Sequence, residues 1–169
     1  MRFADIEVMY DHPSESNPVR VRLLADHRRL NDLLARMVCA VEINGWEELE
    51  SLWTQFESTL LRRMEAEEDY LVPALLRSHP VEGRKLQDDH RLLRKRLIDL
   101  ETEVDLHLVR LETTLTLAAT LYARALYEQR LYHWAAAELR DPERASLLAA
   151  ITDTMLAIAH PHRGPATRH

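Results

Sequence analysis

Cysteine and glycine are scarce in this sequence, and no long apolar run interrupts it. The one cysteine, Cys39, excludes an internal disulfide and gives secretion no support. It lies in an apolar stretch and is expected to be a small buried hydrophobe. With 3 glycines in 169 residues, and Leu, Ala, Arg and Glu dominant, little of the chain reads as strand. No apolar run approaches the ~20 residues that a membrane span needs. The first residues, MRFADIEVMYDHP, lack the continuous apolar core of a signal peptide, so the expected location is the cytoplasm. Also missing are a nucleophile triad, a phosphate loop and a dinucleotide fingerprint, and no enzymatic activity is expected.

What is present is amphipathic helix: 46% hydrophobic and 30% charged residues, with a net charge of −6. That sign argues against nucleic acid as a partner. The basic run from Arg91 to Arg96 is flanked by Asp88, Asp89, Asp99 and Glu101, and is read as a solvated helix face. Residues 1–17 form an N-terminal arm. Asn17 caps a first helix with Pro18 at its first position, running to about Ile43, where Asn44-Gly45 supplies a left-handed stop. A second helix spans about Trp46 to Arg77, bent in its last turn by Pro73. Ser78-His79-Pro80 breaks the chain, and a third helix follows from about Val81 or Gly83 to Asp105. A fourth begins after a short connection at Leu106–Arg110 and reaches about Arg140. Asp141-Pro142 starts a fifth that ends before Pro161.

Each of the first four helices carries a 3-4 apolar spacing, the signature of a seam packed on other helices. The expected architecture is all-α: an up-down-up-down four-helix bundle over residues 18–140, made of two pseudo-repeats, 18–78 and 81–140. A C-terminal helix, 141–160, adds Leu148, Ile151, Met155 and Ile158 outside the bundle, and residues 161–169 form a flexible tail. His160 and His162 near that tail suit adventitious metal binding.

Six residues break the apolar seam: His27, Arg63 with Glu67, His90, and Arg124 with Glu128. Unpaired charge on such a stripe is costly. A lone histidine there is ordinarily a satisfied core residue. These two, however, occupy equivalent places in a repeat. Nearly equal distances separate His27 from Arg63 and His90 from Arg124. Each arginine has Glu at i+4, and each histidine is preceded by Asp, Asp26 and Asp89. Tyr70, Tyr122, Tyr127 and Tyr132 cluster at the same level and are expected to pack, with hydroxyls bonded to the polar groups. His133-Trp134 is read as a surface or fifth-helix contact.

The stretches LLADHRRLNDLL, RRMEAEEDYLVPAL and DDHRLLRKRLIDL resemble the HHE cation-binding domain of the hemerythrin superfamily, over about residues 19–138. The resemblance implies a helical bundle. In that family each half supplies a lone His, then His-x-x-x-Glu on the next helix, holding two irons that bind or sense oxygen or related small molecules. The lone histidines match His27 and His90, and the carboxylates match Glu67 and Glu128. The family's second histidine falls on Arg63 in one half and Arg124 in the other, with Arg62 a neighbour one residue out of register. The second copy, LYEQRLYHWA, lacks the proline of the first.

Two imidazoles replaced by guanidiniums remove two nitrogen donors and add two positive charges, and arginine has no lone pair to offer. The expected centre is a core network of Arg63, Glu67, Arg124, Glu128, His27 and His90, without a cofactor. Arg63 would pair with Glu128 and Arg124 with Glu67 across the bundle, with i, i+4 pairs as the competing geometry. The expected role is a structural, interaction or small-ligand sensing module. The alternative is a non-haem metal protein with one iron or zinc on His27, Glu67, His90 and Glu128, serving oxygen or peroxide binding or sensing. The sequence names no partner; it is compatible with a homodimer.

Overall fold

The computed structural model describes residues 18–159, and every regular element among them is helical. The 1–17 arm and the tail with His160 and His162 lie outside the described residues. The elements are α1 (Pro18–Glu42), α2 (Trp46–Ala66), a π turn (Glu67–Leu71), α3 (Val72–Ser78), α4 (Pro80–Asp105), α5 (Leu111–Glu138) and α6 (Asp141–Ala159). Among the described residues none of these helices is long and apolar enough to cross a membrane.

Local chemistry sets the boundaries. α1 stops where Asn44, not Gly45, takes the left-handed conformation at φ 55°, and the Gly45 N–H donates to the Ala40 carbonyl at 2.8 Å. α4 ends in the same way: His107 has φ 55°, and the Leu108 N–H donates to the Glu103 carbonyl at 2.8 Å. These corresponding turns meet, for the Trp46 ring stacks on His107 at 5.2 Å. Only His79 separates α3 from α4. The third helix starts at Pro80, earlier than expected, since proline is well suited to a first helical turn. Gly83 then sits so close to Leu76 that a Cβ would lie 3.0 Å from the Leu76 backbone nitrogen, which lets α3 and α4 pack tightly.

Pro73 has consequences beyond a bend. Its missing N–H and crowding ring disrupt the preceding turn, which widens so that the Val72 N–H donates to the Glu67 carbonyl five residues back. The second predicted helix is therefore α2, the π turn and α3 in series.

The seam residues pack inward. α1 packs on α2 and α5, α4 on α3 and α2, and α6 on α1, α2 and the π turn. Two apolar clusters result. The larger contains Leu34, Met37, Leu49, Trp53, Phe56, Leu97 and Val104; the smaller contains Leu71, Leu75, Leu86, Leu131 and Leu147. Each fully buried large side chain is worth roughly 1.5–3 kcal/mol. The polar residues fall between the clusters. Leu60 and Leu71 flank Arg63 and Glu67, Leu86 and Leu93 flank His90, and Leu121 and Leu131 flank Arg124 and Glu128. Cys39 is exposed, against expectation, because the inward stripe of α1 runs through Met37, Ala40 and Val41 and leaves position 39 outside it.

Candidate functional site

Arg63 occupies the middle of the polar layer, with its side chain 4% exposed. Its Nε donates to Glu67 Oε1 at 2.8 Å, one turn along the same helix. Its Nη2 donates to Glu128 Oε2 at 2.6 Å on α5, and also to the Tyr132 hydroxyl. The crossed and the i, i+4 pairings thus coexist, because a guanidinium offers five N–H groups in a planar fork. Arg124 repeats the pattern more loosely. Its Nε pairs with Glu128 Oε1 on its own helix, while Nη2 stands 3.8 Å from Glu67 Oε2. Arg62 is exposed, so the inward register belongs to Arg63.

The two histidines meet different partners. His27 faces Arg63, whose Nη1 is 2.9 Å from Nδ1 and Nη2 2.8 Å from Nε2. His27 Nε2 is also 3.3 Å from Glu128 Oε2. A neutral ring with its proton on Nε2 donates to Glu128 and accepts from Arg63 at Nδ1, and Arg63 Nη2 then donates to Glu128 and Tyr132 and not to that ring nitrogen. His90 is completely buried and faces carboxylates on both sides, with Nε2 3.0 Å from Glu67 Oε2 and Nδ1 2.8 Å from Glu68 Oε1.

Burial alone would neutralise the acids, yet the guanidiniums prevent it. Glu128 is held well below the usual carboxylate range: desolvation pushes it up, but Arg63, His27 and Arg124 outweigh that. For Glu67, burial and the neighbouring Glu128 act upward, and Arg63 and His90 prevail downward. Burial and Arg63 lower the His27 pKa against the pull of Glu128. Burial also raises the Tyr132 hydroxyl well above its ordinary value, so it stays protonated. That hydroxyl lies 2.6 Å from Glu67 Oε1 and 2.9 Å from Glu128 Oε2, linking the two acids. Asp26 is buried beside the layer, and desolvation raises its pKa.

Three further features depart from the sequence reading. Glu68 was not singled out, yet it bonds His90 and takes a fork from Arg94, Nη1 at 2.6 Å and Nη2 at 2.9 Å. In an α-helix Glu67 and Glu68 would point about 100° apart; the extra residue in the π turn lets both reach the same imidazole. The available signal was Arg94 at i+4 from His90. The basic run is accordingly not wholly solvated, since Arg94 clamps Glu68 and Arg96 is half-buried against Thr120. Of the four tyrosines Tyr132 joins the network. Tyr122 is 40% exposed, on the outer face of α5, and the Tyr127 hydroxyl is buried without a partner among the described residues. His133 is exposed, while Trp134 stacks on His79 at 4.5 Å.

The space left inside is about 10 Å³, bordered by His27, Arg63, Glu67, Arg124 and Glu128. That is about enough for a single water. Among the described residues, no group of three or more His, Cys, Asp or Glu side chains is arranged to hold a metal ion. No curated protein and no solved structure matches the chain at a significant level. The family model described as hemerythrin HHE cation-binding domain matches residues 20–133, more than half of the chain, and the chain belongs to that family.

Proposed function

We propose that this hemerythrin-like chain is a four-helix bundle in up-down-up-down order, extended by α6, whose centre is a salt-bridge layer in place of a di-iron site. The packing of α1 on α2 and α5, and the meeting of the Asn44 and His107 turns, supports the bundle order.

The observation that carries the reading is Arg63, buried between His27, Glu67, Glu128 and Tyr132. A di-iron centre needs imidazole and carboxylate lone pairs directed at one space. Here His27, Glu67 and Glu128 meet guanidinium donors, and His90 is held between Glu67 and Glu68. A divalent ion placed among them would face two fixed positive charges with His27 and His90 as its only nitrogen ligands. The donor set does not fit two irons. A balanced set of charges supports a metal-free module with a structural, interaction or small-ligand sensing role.

Metal analysis of protein purified without a tag tests this. Iron and zinc well below one equivalent are expected. About one equivalent, lost in Glu67→Ala, would instead establish a single-metal site on His27, Glu67, His90 and Glu128.

A further inference from the structure

Beside the buried centre, α4 and α5 leave a groove of about 270 Å³. Three cations line it, Lys85, Arg96 and Arg124, against one acid, Asp89, and Leu92 and Leu93 supply an apolar wall. Arg124 is the residue shared with the closed centre, whose small cavity it also borders. Its contacts with Glu128 and Glu67 involve Nε and Nη2, which leaves Nη1 uncommitted among the described residues. Arg96 donates to the Thr120 hydroxyl at 3.2 Å, and Lys85 Nζ lies 3.8 Å over the Tyr127 ring. Neither pairs with a carboxylate among the described residues. The buried Tyr127 hydroxyl has no partner there either. Lys85, Arg96 and the free Nη1 of Arg124 thus make a basic groove whose spare donors no carboxylate among the described residues takes up.

We propose that this groove binds a small organic anion, with its anionic head on Arg124, Arg96 and Lys85 and its apolar body against Leu92 and Leu93. Guanidinium recognises carboxylate and phosphate heads alike. The volume limits the body to roughly the size of one aromatic ring.

The test is titration of the full chain, its metal content already measured, with benzoate, phenyl phosphate and inorganic phosphate, followed by amide NMR shifts. Saturable shifts with benzoate at Thr120, Ala123 and Tyr127 are expected, with inorganic phosphate binding more weakly. Arg96→Gln and Lys85→Gln, both outside the buried layer, should each weaken benzoate by about tenfold, the scale of one charge-assisted hydrogen bond. Phenyl phosphate binding far better than benzoate would assign the head as phosphate and keep the organic-anion site. No saturable shift with either organic anion up to about 10 mM would overturn it. So would binding indifferent to both variants, or inorganic phosphate matching the organic anions. Benzoate binding by protein that carries a full equivalent of iron would overturn the metal-free reading while leaving the groove site in place.

Discussion

The two halves of the charged layer carry the same motif and have different surroundings. Arg63 is 4% exposed and reaches four side chains, whereas Arg124 is 10% exposed and holds one acid closely and a second at 3.8 Å. His27 lies against a guanidinium and His90 between two carboxylates. The differences trace to single residues. Pro73 imposes the π turn that brings Glu68 to His90, and the second half has no such proline. Tyr132 supplies a hydroxyl from α5, where the corresponding place in the first half is the apolar Leu71. A repeated motif therefore places charges at one level, while its non-repeated neighbours decide how each is satisfied.

The largest effect should come from Arg63→Leu. Losing Arg63 leaves Glu67 and Glu128 in the core with Arg124 as the one guanidinium between them, at a cost of about 3–5 kcal/mol by urea unfolding. Arg124→Leu should cost about 1–3 kcal/mol, since Arg63 still holds both acids. In the double variant Arg63→Leu with Glu128→Leu much of the loss should return, because Glu67 keeps Arg124 and His90. Equal losses for the single and double changes would refute the crossed pair, and equal losses for the two arginines would erase the asymmetry.

Acid should separate the halves next. The folded-state pKa of His27 lies below the unfolded value of about 6.5, so the unfolded chain binds that proton first. This contribution to stability is full above that pH and declines as pH falls towards the folded value. The slope is at most about 1.4 kcal/mol per pH unit. Glu67 and Glu128, with folded values below the ordinary carboxylate range, add a second loss below about pH 4.3. Urea midpoints against pH should show both stages, and His27→Gln should remove the first and spare the second. A first stage unchanged in His27→Gln would assign it elsewhere.

The smallest effect should be at the rim. Arg94 and Glu68 are each about one-third exposed, so water screens their fork and Arg94→Gln should cost only about 0.2–1 kcal/mol. A loss as large as that of Arg124→Leu would place Glu68 in the buried layer on equal terms with Glu67.

Much of this centre was legible before folding was considered. The 3-4 spacing put Leu60, Arg63 and Glu67 on one inward stripe, and the repeat tied His27 to His90 and Arg63 to Arg124. Cys39 was misread because an apolar stretch on a helix still has an outer face. Tyr132 could not be told from Tyr122 or Tyr127, since small angular differences around α5 decide which hydroxyl reaches the acids. Glu68 was hidden because its inward turn depends on a non-α register.

The sequence by itself determined the helices, their inward stripes and the balance of charge within them, because periodicity and formal charge are properties of the chain. Only the tertiary structure decided that Arg63 bridges its own helix and α5 at once, that His90 lies between Glu67 and Glu68, and that Arg124 also borders an outer groove. Those outcomes depend on distances of a few ångströms between helices, where a hydrogen bond is either made or lost.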